Sequence, residues 1–247
     1  MRLLILAAVL GSAALGPTVS SAQMFRSGER AVPLLELFTS EGCSSCPPAE
    51  HWMGELRHEP GLWQDFVPVA WHVNYWDRLG WPDKFADRAY TDRQYAYAKI
   101  WRSGRVYTPG FVRAGEEWRP SSRELGSSRN AMSGGELVAS VEGDQVLVRF
   151  ESSGAAAGLR WVNVVRLGGG IVSDVRRGEN RGEFLVLGWE REALRDGAAT
   201  VRLPEALDGV KPSREAVAIW ISADDSPAPI QATGGWLNSL KDLDDKR

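Results

Sequence analysis

Cys43-Ser44-Ser45-Cys46 holds both cysteines of the chain, three positions apart. A bridge between them closes a loop of only four residues. In the chain-entropy view such a clip contributes about 2 kcal/mol, against nearly 5 kcal/mol for a loop of about 100 residues. A weak staple is a poor reason to keep two cysteines. A reactive pair is a better one, because vicinal thiols exchange disulfides quickly and their acidity can be tuned. In that chemistry Cys43 is the exposed nucleophile, and Cys46, shielded by the following helix, resolves the mixed disulfide. The competing chemistry is metal handling: Cys43, Cys46 and His72 could hold copper or zinc, both suited to soft thiolates. Against it, the chain has three histidines and no second cysteine pair to complete a tetrahedral site. A third reading is a non-catalytic binding module in which the pair is an inert clip.

These residues must be positioned by the elements around them. Pro33 to Phe38 reads as a strand covered on both faces, with one acid, Glu36, inside it. Thr39 to Gly42 is a polar turn. After the cysteines, Pro47-Pro48 opens a helix whose apolar positions 49, 52, 53 and 56 have helical spacing. Cys43 therefore sits at or just before a helix N-terminus, where free amides and the helix dipole favour a thiolate, although two prolines remove two of those amides. Phe66 to Val73 reads as a second strand, giving a right-handed βαβ unit. Chemistry in open α/β sheets gathers at the carboxyl ends of the strands, so 39–46 and 73–77 should be neighbours. A helix follows over 83–101, then Thr108-Pro109 leads into a strand at 110–113 that turns at Gly115 and returns at 117–119. A short helix is expected from Ser121 toward Met132.

The runs Leu35 to Pro48, His72 to Trp81 and Tyr107-Thr108-Pro109, with Arg177-Gly178-Glu179-Asn180 in the second half, resemble a bacterial family of secreted, thioredoxin-like proteins known as domain of unknown function 1223. The strand–CxxC–helix–strand order and this resemblance imply an α/β thioredoxin-like domain, and strand-like segments at sandwich spacing imply a mainly β, sandwich-like C-terminal domain after it. The resemblance also implies a cis bond before Pro109 and a substrate-binding edge formed by Thr108 and Pro109 with Tyr75 and Trp76. Glu36, expensive to bury alone, is expected to serve Cys46 as a proton carrier, a third catalytic residue beside the two cysteines; the alternative is that it points to an open edge or pairs with an arginine.

The N-terminus reads as a secretory signal over residues 1–22: Arg2, an uncharged apolar run over 3–16, and small residues at Ser20 and Ala22. Cleavage would leave a periplasmic or secreted protein that is not integral to the membrane. Residues 23–133 form the expected CxxC domain, and Ser133-Gly134-Gly135 is the expected hinge. Residues 134–247 then supply strands near 137–142, 145–150, 159–166, 184–189, 199–203 and 216–222, ending in a charged tail over 241–247. Glu142 and Gln145 flank a Gly143-Asp144 hairpin turn. A formal net charge of −3 with interspersed charges gives no footprint for nucleic acid. Six of the eleven tryptophans fall between Trp52 and Trp101, which marks one aromatic region. The expected partners are protein thiols or disulfides and a redox partner, with no cofactor.

Overall fold

Two parallel strands start the sheet on which everything else is assembled. The computed structural model describes residues 22–120, 135–152, 158–175 and 178–238. After β1 (Gln23–Arg26), β2 (Leu34–Thr39) leads through the CxxC turn into α1 (Pro47–Glu55) and returns as β3 (Val67–His72). Strands β2 and β3 pair in parallel, from Leu34 beside Val67 to Thr39 beside His72. Both are buried along their whole length, as continuous apolar runs covered on two faces should be. A six-residue 3₁₀ segment (Asn74–Leu79) precedes α2 (Arg88–Ile100), and β4 (Gly110–Arg113) turns back into β5 (Glu116–Trp118). Side chains alternate along a strand, so Glu36 and Phe38 share one face of β2, and Leu35, Leu37 and Thr39 share the other. Phe38 meets Tyr97 of α2, whereas Thr39 bonds Glu50 of α1, so the two helices cover opposite faces of this sheet.

The regular elements among the remaining described residues are all strands. They comprise β6 (Gly135–Glu142), β7 (Gln145–Ser152), β8 (Arg160–Gly169), β9 (Ile171–Val175), β10 (Gly178–Gly182), β11 (Leu185–Leu194), β12 (Ala198–Arg202), β13 (Arg214–Ala223) and β14 (Pro229–Trp236). The hairpin at Gly143-Asp144 forms as expected, with Glu142 opposite Gln145. Strands β6 and β7 alternate buried and more exposed residues, which suits strands with one covered face. They form a four-stranded sheet in the order β1-β6-β7-β12. Its inner face, including Leu137, Val146, Val148 and Phe150, packs with Val162, Val164, Val217, Ile219 and Ile221 of β8 and β13.

The expected architecture of an α/β thioredoxin-like domain followed by a separate sandwich is not what the chain adopts. Among the described residues strand accounts for 47% and helix, 3₁₀ segments included, for 16%, and β14-β13-β8-β11-β3-β2-β4-β5 form one eight-stranded sheet. The join lies at β3 and β11, where Leu185 pairs in parallel with Ala70 and the Ala70 N–H donates to the Phe184 carbonyl at 2.8 Å. An open strand edge exposes unpaired amides and carbonyls. Here the second half closes the edge of β3, and a single sheet crosses the expected boundary. The expected signal segment through residue 21, the short helix over 121–132, the hinge residues 133–134, Arg177 and the tail over 241–247 lie outside the described residues.

An ion pair inside the sheet ties the halves together. Glu36 is fully buried, and its Oε2 accepts from Arg93 Nε at 2.6 Å and from Trp71 Nε1 at 2.9 Å. Its Oε1 accepts from the Tyr97 hydroxyl at 2.5 Å. Arg93 also donates from Nη2 to the Pro227 carbonyl at 3.1 Å, in the connection between β13 and β14. Four rings surround its guanidinium, those of Trp220, Tyr97, Trp71 and Trp189, at 5.0 to 5.7 Å. Burial works against the Arg93 charge, but Glu36 outweighs it and holds the guanidinium above its ordinary pKa. Removing one partner of such a pair leaves a buried charge uncompensated, which costs about 3–5 kcal/mol. Arg93→Met should therefore lower unfolding free energy by that amount in urea titration. Adding Glu36→Gln, whose amide oxygen can accept from Trp71 while its NH2 donates to the Tyr97 oxygen, should recover part of the loss. A double variant no more stable than Arg93→Met would show that the charge is not the cause.

Candidate functional site

Cys43 and Cys46 form a disulfide at the carboxyl ends of β2 and β3, with Cα atoms 5.4 Å apart. Cys46 is the N-cap of α1 and is fully buried. Cys43, expected to be exposed, is only 2% exposed, while Ser44 and Ser45 beside it are open to solvent. The Cys43 sulfur lies 3.5 Å from the Ser45 hydroxyl. The anticipated stabilisation of a thiolate by the first turn of the helix is curtailed here. Pro47 and Pro48 have no amide hydrogen. The next two amides, of Ala49 and Glu50, both donate to the Cys46 carbonyl, at 2.9 and 3.1 Å.

Antiparallel pairing of β2 with β4 sets Gly110 beside Phe38, so Thr108-Pro109 reaches the end of β2 from one side while His72 and Val73 flank it from the other. The Thr108–Pro109 peptide is cis. Trp76 bridges these segments: its Nε1 donates to Thr108 Oγ1 at 2.8 Å, and its Cβ lies 3.1 Å from where a side chain on Gly42 would begin. A Cβ at Gly42 would be crowded there, and Trp76 would have to give way by a few tenths of an ångström. The Tyr75 hydroxyl donates to Gln94 Oε1 at 3.3 Å, and Gln94 Nε2 donates to the Tyr107 carbonyl at 2.8 Å. Cys43, Cys46, Tyr75, Trp76, Thr108 and Pro109 thus gather at one end of the sheet.

Glu36 does not join them. Its oxygens are taken by Trp71, Arg93 and Tyr97 on the α2 face, whereas Cys46 caps the helix on the opposite face. Strand alternation decides this, and the sequence reading missed two acids that do lie on the α1 face. Asp83 accepts at Oδ2 from the Glu41 N–H at 2.8 Å and lies 2.7 Å from His72 Nδ1. The expected helix start at residue 83 moves to Arg88, where the Asp87 side chain caps by accepting from the Ala89 N–H; the residues before it carry Asp83 to His72. Glu50, 6% exposed, accepts from the Thr39 hydroxyl at 2.5 Å through Oε1, while its Oε2 is buried without a hydrogen-bond partner. Its spacing of four from Cys46 was a readable signal, because residues four apart share a helix face. For His72, the Nδ1 contact is Asp83, and among the described residues no group of three or more His, Cys, Asp and Glu side chains is arranged to hold a metal.

The site and the fold define a class: a mainly β protein whose mixed sheet presents a CxxC disulfide at the head of a helix in a parallel βαβ unit. The chain belongs to the family described as Protein of unknown function (DUF1223), which matches residues 34–221. Among solved structures it is similar to protein AGR_C_4864 from Agrobacterium tumefaciens, at 25% identity and a TM-score of 0.58, over 85% of this chain and 96% of that one. It is also similar in fold to HBP35 of Porphyromonas gingivalis, at 13% identity and a TM-score of 0.58, over 84% and 76% of the two chains. No curated protein matches the chain.

The His72–Asp83 pair carries a pH signature. Burial works against a charged His72, but Asp83 outweighs it, so the ring's pKa lies above its ordinary 6.5. Burial likewise opposes the Asp83 charge, and His72 with the amides of Glu41 and Phe85 holds the carboxyl below its ordinary 3.8. The histidine's contribution to stability is therefore complete below pH 6.5 and is lost as pH rises through the folded value. The aspartate's contribution is complete above pH 3.8 and is lost as pH falls through its folded value. Raising pH from about 5.5 to about 9, across the histidine range, should lower the wild-type urea midpoint more than that of Asp83→Asn. Equal losses in the two proteins would remove the pair as the source.

Proposed function

We propose that the chain is an exported thiol–disulfide oxidoreductase working through Cys43 and Cys46 on protein thiols or disulfides. One observation carries this reading: the chain's only disulfide is a short clip at the carboxyl ends of two parallel strands, where it contributes little as a staple. Tyr75, Trp76, Thr108 and Pro109 would form the edge on which a substrate segment lies. Cys43 is the attacked and attacking sulfur, because it stands beside exposed Ser44 and Ser45 while Cys46 is fully enclosed. Export accords with the charged, apolar and small-residue order of the first 22 residues and with a disulfide that persists in an oxidising compartment. No described helix is long and apolar enough to cross a membrane.

Metal handling through Cys43, Cys46 and His72 is the weaker reading, since among the described residues no group of three or more His, Cys, Asp and Glu side chains is arranged to hold a metal. Equilibration with graded glutathione buffers, followed by alkylation and mass measurement, tests the function. The pair should pass reversibly between disulfide and dithiol, Cys46→Ser should accumulate a mixed disulfide at Cys43, and Cys43→Ser should reduce exchange to the uncatalysed rate. A pair that neither exchanges nor forms the mixed disulfide would falsify the proposal.

A further inference from the structure

Building on the redox reading, we infer that Glu50 is the proton carrier for Cys46, linking the buried sulfur to solvent through the cleft beside α1. Three independent features converge on this residue. Cys46, Glu50 and Met53 are buried at positions 46, 50 and 53, so they lie on one side of α1, with Glu50 one turn below the resolving sulfur. Only half of the Glu50 carboxylate is engaged. Oε1 takes the Thr39 hydroxyl, and Oε2 is buried with no partner. A buried unpaired carboxylate oxygen is costly, so a structure that retains one invites a role in which that oxygen binds a proton. Finally, Glu50 borders a cleft of about 510 Å³ shared with His51, Arg57, His58, Glu183 and Arg214, which gives the proton a way out.

The chemistry balances with a substrate disulfide as oxidant. The Cys43 thiolate attacks one substrate sulfur, forming a mixed disulfide and releasing the first substrate thiolate. Cys46 then gives its thiol proton to Glu50, and the resulting Cys46 thiolate attacks Cys43 Sγ. The mixed disulfide breaks, the Cys43–Cys46 bond forms, and the second substrate thiolate leaves. Two electrons pass from the dithiol to the substrate, and the proton on Glu50 escapes to the cleft. In reverse, Cys46 leaves as a thiolate and takes its proton from Glu50. The need for a carrier follows from the enclosure of Cys46 and from the prolines and paired amides that withhold helix N–H groups from a thiolate. Glu36 cannot take this part while all its contacts lie on the α2 face.

The test is single-turnover reduction of a small aromatic disulfide, with attack and resolution followed separately over a pH series. The charged and titratable groups facing Glu50 are the same in wild type and variant: His72 on β3 with its partner Asp83, Glu41 in the turn, and His51, Glu55, Arg57, His58, Glu183 and Arg214 around the cleft. Glu50→Gln retains an acceptor for Thr39, so the fold should persist. It should slow resolution by about 10²-fold, the lower end of what general acid–base catalysis supplies, and leave attack by Cys43 nearly unchanged. The pH-dependent limb of resolution should vanish, and formate should restore part of the rate in Glu50→Ala, which vacates the space the carboxylate fills. As a readout independent of turnover, the infrared difference between oxidised and reduced protein should contain a carboxyl band that is lost in Glu50→Gln. Unchanged resolution and an unchanged infrared difference would overturn the assignment of Glu50 while leaving the redox reading intact. Wild-type protein that never exchanges would instead remove the redox reading beneath it.

Discussion

A carboxylate and a guanidinium buried together at the centre of the sheet set the terms for the rest of the molecule. Neither Glu36 nor Arg93 is tolerable there alone, since an isolated ion in a low-dielectric interior carries a desolvation cost of several kcal/mol. Their environment must therefore be complete before either is stable: Trp71 from β3, Tyr97 from α2, Trp189 from β11, Trp220 from β13 and the Pro227 carbonyl beyond it. These groups come from both halves of the chain. The pair consequently couples the parallel strands that carry the cysteines to the antiparallel strands that close the edge of β3. It explains why the halves form one sheet, and why so many tryptophans surround a single arginine.

The two faces of β2 divide the acidic groups by function. On the α2 face, Glu36 is saturated and structural. On the α1 face, Thr39 at the end of the same strand holds Glu50, and His72 on the neighbouring strand holds Asp83. The Cys43–Cys46 turn stands at the same end of the sheet as this second set. Its sulfurs receive little from helix amides, because the proline pair removes two and the Cys46 carbonyl occupies the next two. Under the proposed redox reading, the turn would draw instead on the carboxylates and hydroxyl beneath it, among which one Glu50 oxygen has no hydrogen-bond partner.

Much of the local organisation was legible before any coordinates. Apolar runs marked β2 and β3 as strands, and β2 as one covered on both faces. Helical spacing after Pro47-Pro48 placed α1, and a Gly-Asp step between alternating segments placed the β6–β7 hairpin. These are short-range signals, set by steric preferences and hydropathy period. The buried face of α2 was harder to read, because it carries Arg93, Gln94 and Thr91 while Tyr95 is exposed. Hydropathy cannot select a polar side chain whose burial depends on a partner elsewhere in the chain.

The sequence by itself determined where a disulfide could form, which strand and helix would flank it, and that the acid in that strand would be buried. Tertiary structure decided what pairs with what. The edge of β3 required hydrogen-bond partners, and β11, more than a hundred residues later in the chain, supplied them, so the expected two-domain plan became a single mixed sheet. Strand alternation then sent Glu36 toward α2 and Thr39 toward α1, which assigned Glu36 to an ion pair and left Glu50 beneath Cys46. Composition and spacing can state that a carboxylate is buried. Which face it points to, and whether an arginine is waiting there, is fixed only when distant strands have come into register.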